Sequence, residues 1–338
     1  MGSFTRAGGL GVTAASVDRA TGALTVTGTS DTVPDPSFLA PGPDGTVLYA
    51  VSEADEGAVA AFDVTGPVPR PLGAPAPVGG AGPTHLTYTA GHVVTAHYGS
   101  GGVSAVAVRP DGTPGPVTGL LRHHGHGPDP ERQTAPHAHQ VLPAPGGRHL
   151  LTVDLGTDSV RVCALDPATG ALAPHGETPL RPGSGPRHLA LHPAGGHAYV
   201  LAELAPVLTV CRWNARSGTL APVAEVPVRA EGATGVAYPS AVAVAPDGRY
   251  AWAAVRGDDT LTVLALLHEG GEQPVPVAHV PCGGHWPRDV ALAPGGRRLY
   301  VANERSGDVT WFDIDPDTGI PSRAGAIEVP AATCVIFA

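Results

Sequence analysis

Charge and aromatic rings are both scarce in this chain: 15% of its residues are charged and 5% are aromatic. The formal net charge is −10 and no stretch concentrates Lys or Arg. A nucleic acid or an anionic membrane surface is therefore excluded as a partner. A small anion is not, because a few converging arginines can create a local positive field on an acidic protein. The four cysteines, Cys163, Cys211, Cys282 and Cys334, form no C-x-x-C pair and sit in or beside apolar runs. They read as reduced, buried thiols and not as a disulfide framework or a zinc site. No apolar run approaches the roughly 18 residues of a membrane span, and no basic segment followed by an apolar one opens the chain. The expected location is cytoplasmic. Helical periodicity is missing over any useful length. So is the G-x-S-x-G of a nucleophile elbow: Gly183-Ser184-Gly185 reads as turn chemistry.

What the chain has in quantity is glycine and proline, 46 and 37 residues. They fall between short apolar runs, which makes them punctuation between strands. The arrangement repeats. A short apolar segment recurs at Pro36, Pro83, Pro136, Pro186, Pro239, Pro287 and Pro330, in steps of 47, 53, 50, 53, 48 and 43 residues. That step is the length of one four-stranded propeller blade. Turns such as Asp166–Gly170 and Asp315–Gly319 supply the Asp and Gly that hairpins require. The spacing predicts an all-β, seven-bladed propeller in one domain spanning 1–338. The chain starts in mid-blade, with Gly2–Thr5, Gly11–Asp18 and Ala23–Gly28 as later strands. It ends on an inner strand over Ala332–Phe337. Joining the two ends in one composite blade removes the free edges of an open ring.

A repeat is its own control. Six residues before each Pro-x-Gly turn lie Ser37, His139, Arg187, Ser240 and Arg288. Ten residues after the turn proline lie Glu53, Leu155, Glu203, Arg256 and Glu304. Both registers belong at one mouth of the channel, where small residues would suffice for structure. His139, Arg187, Glu203, Arg256 and Arg288 therefore converge there from four blades, as a site does. A histidine titrating near neutrality can take a proton from water. Arginines hold carboxylate, phosphate or a developing oxyanion. A wet mouth predicts that removing these side chains leaves folding nearly unaffected. His123, His124, His126, His137 and His139 also cluster, but their spacing fits no standard metal motif. They are expected to shape a loop over the mouth, and no metal or cofactor is expected. Which of His137 and His139 is the base stays open. Asp154 is one residue out of phase with Glu203, so a turn role accounts for it. It joins His137, Glu53, Glu304 and Arg288 as a substrate-binding candidate.

The runs Glu131-Arg132-Gln133, Pro136–Val141 and Val153–Asp158 carry a resemblance. So do Gly185–Leu189, Pro287–Val290 with Val301-Ala302-Asn303, and Thr333–Phe337. The chain resembles the lactonase family of propellers, which includes propeller-type 6-phosphogluconolactonase and 3-carboxy-cis,cis-muconate lactonizing enzyme. The family's proposed site implies catalytic roles for His139, Arg187, Glu203 and Arg256. Val255, Ala202 and His97 stand where the family usually has Asn. The resemblance implies hydrolysis of a sugar or other small anionic lactone; a monomer or weak homodimer is expected, though residue order does not specify the oligomeric state. His139 would activate water, Arg187 would hold the carbonyl, and Arg256 or Arg288 would bind an anionic tail. Two alternatives remain: a muconate-type isomerase that closes or opens a lactone without water, and a non-catalytic ligand-binding propeller. The second would place aromatic residues at the mouth, against which the low aromatic content weighs.

Overall fold

The computed structural model describes residues 1–266 and 271–338. Six sheets follow one another around a ring, each built from an inner strand outward. Their inner strands are Leu39–Pro41, Pro83–Thr89, Ala138–Pro143, Pro186–Leu191, Tyr238–Val244 and Pro287–Leu292, in blades 1 to 6. The outer strand of blade 1 is broken into Arg70–Pro71 and Ala76–Pro77. Its prolines cannot donate to a ladder, and only an edge position tolerates that.

Blade 7 is composite. Ala332–Cys334 is its inner strand and pairs with Gly2–Ser3, and Val12–Val17 pairs with Leu24–Ser30. The two halves join where Met1 and Thr13 exchange both backbone hydrogen bonds at 2.8 Å. The closing strands are shorter than expected. The second stops at Ser3, where the chain turns into a 3₁₀ turn over Thr5–Ala7, and the inner strand stops at Cys334. Blades pack through alternating inward residues, such as Val200, Leu151 and Trp213 between blades 3 and 4. All four cysteines are buried and unpaired. Burial pushes each thiol up to about 12.

One irregularity recurs where it matters. Beside the mouth the inner strand carries one extra residue against its neighbour in blades 2, 3, 4 and 6. Thr84, His139, Arg187 and Arg288 are those extra residues. In blade 5 Ser240 and Ala241 share the equivalent shift. A bulge twists the strand and re-aims the side chain it carries. The register singled out in the sequence is thus the bulge position.

Candidate active site

The two sequence registers meet as expected, but around a centre that only the fold reveals. Glu203 follows the second strand of blade 4, where its N–H donates to the Gly185 carbonyl at 2.7 Å. Its carboxylate holds three arginines. Arg187 Nε lies 3.0 Å from Oε2, Arg256 Nη2 lies 2.7 Å from the same oxygen, and Arg132 Nη2 lies 2.6 Å from Oε1. Arg256 is further fixed by Nε donating to the Tyr238 carbonyl at 3.0 Å. Arg187 also donates through Nη1 to the Ser240 carbonyl.

This group is not at a wet mouth. Arg187 is 2% exposed, and Glu203, Arg256 and His139 are buried with it. The expectation that removing these side chains leaves folding nearly unaffected does not fit this burial: removing Arg187, Glu203 or Arg256 changes a buried charge balance. Burial alone would raise the Glu203 pKa, but Arg256, Arg187 and Arg132 together pull it to about 2. Burial, then repulsion from Arg256 and Arg288, holds Arg187 well below the usual guanidinium range. Guanidinium does not lose its proton in proteins, so that shift expresses charge left uncompensated. Three cations share the Glu203 carboxylate, a group of charge +2 by itself, and Asp289 and Glu304 oppose it more weakly.

His139 stands beside this excess. Burial first, then Arg187, Arg288 and Arg256, depresses its pKa well below the ordinary value. The expectation of a histidine titrating near neutrality is corrected: in the free protein His139 is a neutral imidazole. Its Nδ1 is buried with no partner. His137 differs. It is partly exposed, stacks on Tyr98 at 4.5 Å, and its Nδ1 donates to the Tyr98 carbonyl at 2.6 Å.

The other candidates gather elsewhere. Arg288 pairs with Glu304 at 3.0 Å and lies 3.9 Å from Glu53. Arg6 reaches Glu53 at 3.4 Å and Asp35 at 2.7 Å, and Phe4 lies under both guanidiniums. Burial opposes the Arg288 charge, but Glu53, Glu304 and Glu203 outweigh it and raise its pKa. Arg288 is thus a satisfied cation where Arg187 is not. Asp154 leaves the binding set altogether. It is fully buried, and its oxygens accept from His123 Nδ1 at 2.6 Å and from the N–H groups of His137 and Gly156 at 2.9 and 3.0 Å. Nothing of it remains to meet a ligand. The histidine cluster behaves as loop scaffolding: His123 is tied to Asp154, and His126 Nδ1 to the Gly127 carbonyl at 3.1 Å. Among the described residues no three His, Cys, Asp or Glu side chains gather as a metal site requires.

Several residues of the site were missed. Arg132 comes from the loop between blades 2 and 3, which Gln133 anchors by donating to the Leu155 carbonyl at 2.8 Å. It is 35% exposed, the most accessible cation on Glu203. The sequence signal for it is the Glu131-Arg132-Gln133 run, which lies outside both repeat registers. His85 and His188 follow the bulge residues of blades 2 and 4, one step deeper. With Phe38 they form a cluster of rings: Phe38 lies 4.1 Å from His85 and 6.1 Å from His188, between ring centres. These rings and the charged residues together make the site, a cup beside His139, whose ring lies 5.3 Å from that of His188. Asp289, one residue after Arg288, is buried, and burial raises its pKa to about 6. The argument from aromatic scarcity also fails. Tyr98 and Trp286 both stand beside this cup, in contact with its arginines or with His137.

Comparison with known proteins follows the same line. The model of the family described as "Lactonase, 7-bladed beta-propeller" matches residues 1–337. A Bacillus subtilis 6-phosphogluconolactonase is 30% identical over 347 residues, covering 100% of this chain and 97% of that protein. The Pseudomonas aeruginosa periplasmic gluconolactonase superposes with a TM-score of 0.90 at 27% identity, covering 98% of this chain and 95% of the other. A Lactobacillus plantarum protein superposes with a TM-score of 0.92 at 27% identity, covering 98% and 96%.

Proposed function

Because the chain belongs to the lactonase family of seven-bladed β-propellers, we propose that it hydrolyses a small anionic lactone in the Glu203 cup, with a phosphorylated sugar lactone as the leading substrate. One observation carries this reading: three arginines, two of them buried, share one buried carboxylate beside a neutral imidazole whose Nδ1 has no partner. Uncompensated buried charge is costly, and a dianionic ligand relieves it. The anionic group is placed at Arg132 and Arg256. Of Arg256 and Arg288, the two expected to bind an anionic tail, Arg288 already has Glu304 and Glu53 as partners.

The chemistry follows from the residues. The neutral His139 accepts a proton from water as the water oxygen attacks the lactone carbonyl. Arg187 donates to the carbonyl oxygen as charge builds there. Glu203 keeps the guanidiniums oriented and ionised. The ring C–O bond then breaks, and the departing alkoxide takes the proton from His139, leaving the hydroxy acid. A bound dianion also raises the His139 pKa, because it offsets the arginines that depress it. The base is thereby made stronger once substrate is in place.

The test is hydrolysis of 6-phosphoglucono-δ-lactone in H₂¹⁸O. One ¹⁸O in the product carboxylate supports hydrolysis. Conversion without solvent oxygen supports the isomerase reading instead. No conversion of this lactone or of glucono-δ-lactone refutes the sugar-lactone hydrolase reading.

A further inference from the structure

Just before the inner strands, the chain adopts a left-handed backbone in five blades: Asp35 (φ 47°), Gly82 (55°), Gly185 (60°), Trp286 (65°) and Ala331 (50°). Glycine occupies this conformation without strain, and a bulky side chain does so at a cost. Blades 4 and 6 hold the residue in the same way. Asp158 accepts from the Gly185 N–H at 2.7 Å, and Asp259 accepts from the Trp286 N–H at 2.8 Å. The next strand end also donates to each carbonyl, Glu203 to Gly185 at 2.7 Å and Glu304 to Trp286 at 3.0 Å. The scaffold therefore accepts glycine at this turn, and blade 6 carries the largest side chain there instead.

Strain of this kind persists where a side chain is needed. The indole stands over Arg256, whose guanidinium carbon is 5.6 Å from the ring centre, with Tyr238 6.2 Å away. Arg305 covers it from the rim at 3.3 Å. Arg256 in turn holds Glu203, so the ring lies one contact from the centre of the cup. It is partly exposed, whereas Trp213, Trp252 and Trp311 are buried.

We propose that Trp286 is a specificity-determining residue: its ring forms the wall of the cup between blades 5 and 6, against which the lactone lays a C–H face. This rests on the reading of the cup as a lactone site. The wall binds ground and transition states alike and limits the width of what enters.

Three measurements on the full chain test it. Titration with 6-phosphogluconate, the open-chain product, should change tryptophan fluorescence, and the change should vanish in Trp286→Phe while calorimetry still detects binding. Trp286→Gly should raise KM for 6-phosphoglucono-δ-lactone by about tenfold or more, with kcat within about threefold, as loss of uniform binding requires. The kcat/KM ratio of dihydrocoumarin to glucono-δ-lactone should rise about tenfold or more, since pocket walls discriminate on that scale. The Trp286→Gly protein should melt at or above the parent temperature. A lower melting temperature with unchanged KM and ratio overturns the proposal and makes the ring a structural filler. A parent that binds no 6-phosphogluconate and turns over neither lactone overturns the functional reading and this proposal together.

Discussion

Asp289→Asn should stabilise the protein at neutral and alkaline pH and progressively less in acid. The Asp289 carboxyl is buried between blades 6 and 7, where Oδ2 accepts from the Val335 N–H at 3.1 Å. Burial raises its pKa from 3.8 to about 6, against the smaller opposing effects of that bond and of Arg187 and Arg288. The folded state therefore binds the proton more tightly than the unfolded chain. The stabilisation this provides is complete below about pH 3.8 and is lost as pH rises through about 6. A shift of about 2 pKa units corresponds to about 3 kcal/mol, which is what the buried charge costs above pH 7. An amide removes that cost and keeps the acceptor. Blade 3 already uses one at the equivalent place, where Gln140 Oε1 accepts from the Leu189 N–H at 2.6 Å. For a chain of this length about 3 kcal/mol amounts to roughly 4 °C in melting temperature. Melting curves of parent and variant at pH 4.5, 6 and 8 give the answer. The variant should gain about 1–2 °C at pH 4.5 and about 4 °C at pH 8. A variant that is less stable than the parent at pH 8 would refute the reasoning, because it would show that Arg187 and Arg288 repay the carboxylate for its burial.

The charge balance of the cup makes two opposite predictions. Arg187→Met should lower kcat by about 10²–10³-fold, the usual cost of one donor to a developing oxyanion, while the melting temperature holds or rises, because a repelled cation has gone. Glu203→Gln should cost about 3–5 kcal/mol in a denaturation titration, since the buried guanidiniums of Arg187 and Arg256 then lose their shared anion; a loss under about 1 kcal/mol would mean that water screens the cup. For His139, kcat/KM should show no acid limb from this group near pH 6.5, whereas the limb in kcat should lie higher because bound anion raises the pKa. A kcat/KM profile that halves near pH 6.5 in the parent and is flat in His139→Ala would contradict the depressed value. Deleting 332–338 should abolish cooperative melting, since blade 7 loses its inner strand and the ring its seal; an unchanged transition would disprove the composite blade.

The number of blades and the way they close were legible because both rest on local chemistry. Pro-x-Gly and Asp-x-x-Thr-Gly turns recur at blade length, and alternation of apolar residues marks the strands between them. The registers holding His139, Arg187, Glu203 and Arg256 were legible for the same reason, since a repeat shows which position departs from its copies. Trp286 was equally visible next to Pro287, but its meaning was not. It needed the left-handed backbone that Gly82 and Gly185 share with it, and φ is not written in residue order.

Depth, charge state and partner choice were settled elsewhere. The distance in sequence between partners is the physical reason: Arg132 and Glu203 are 71 residues apart, and Arg256 lies 53 beyond Glu203. No turn preference reaches across a blade, so only the closed ring decides that three arginines crowd one carboxylate while Arg288 is left to Glu304 and Glu53. The same closure turned a wet mouth into a buried cup, and burial then made His139 neutral and Asp289 reluctant to ionise. Desolvation depends on what surrounds an atom in space. The chain specifies locally where each blade begins and ends; the fields those blades impose on one another exist only after the ring has closed.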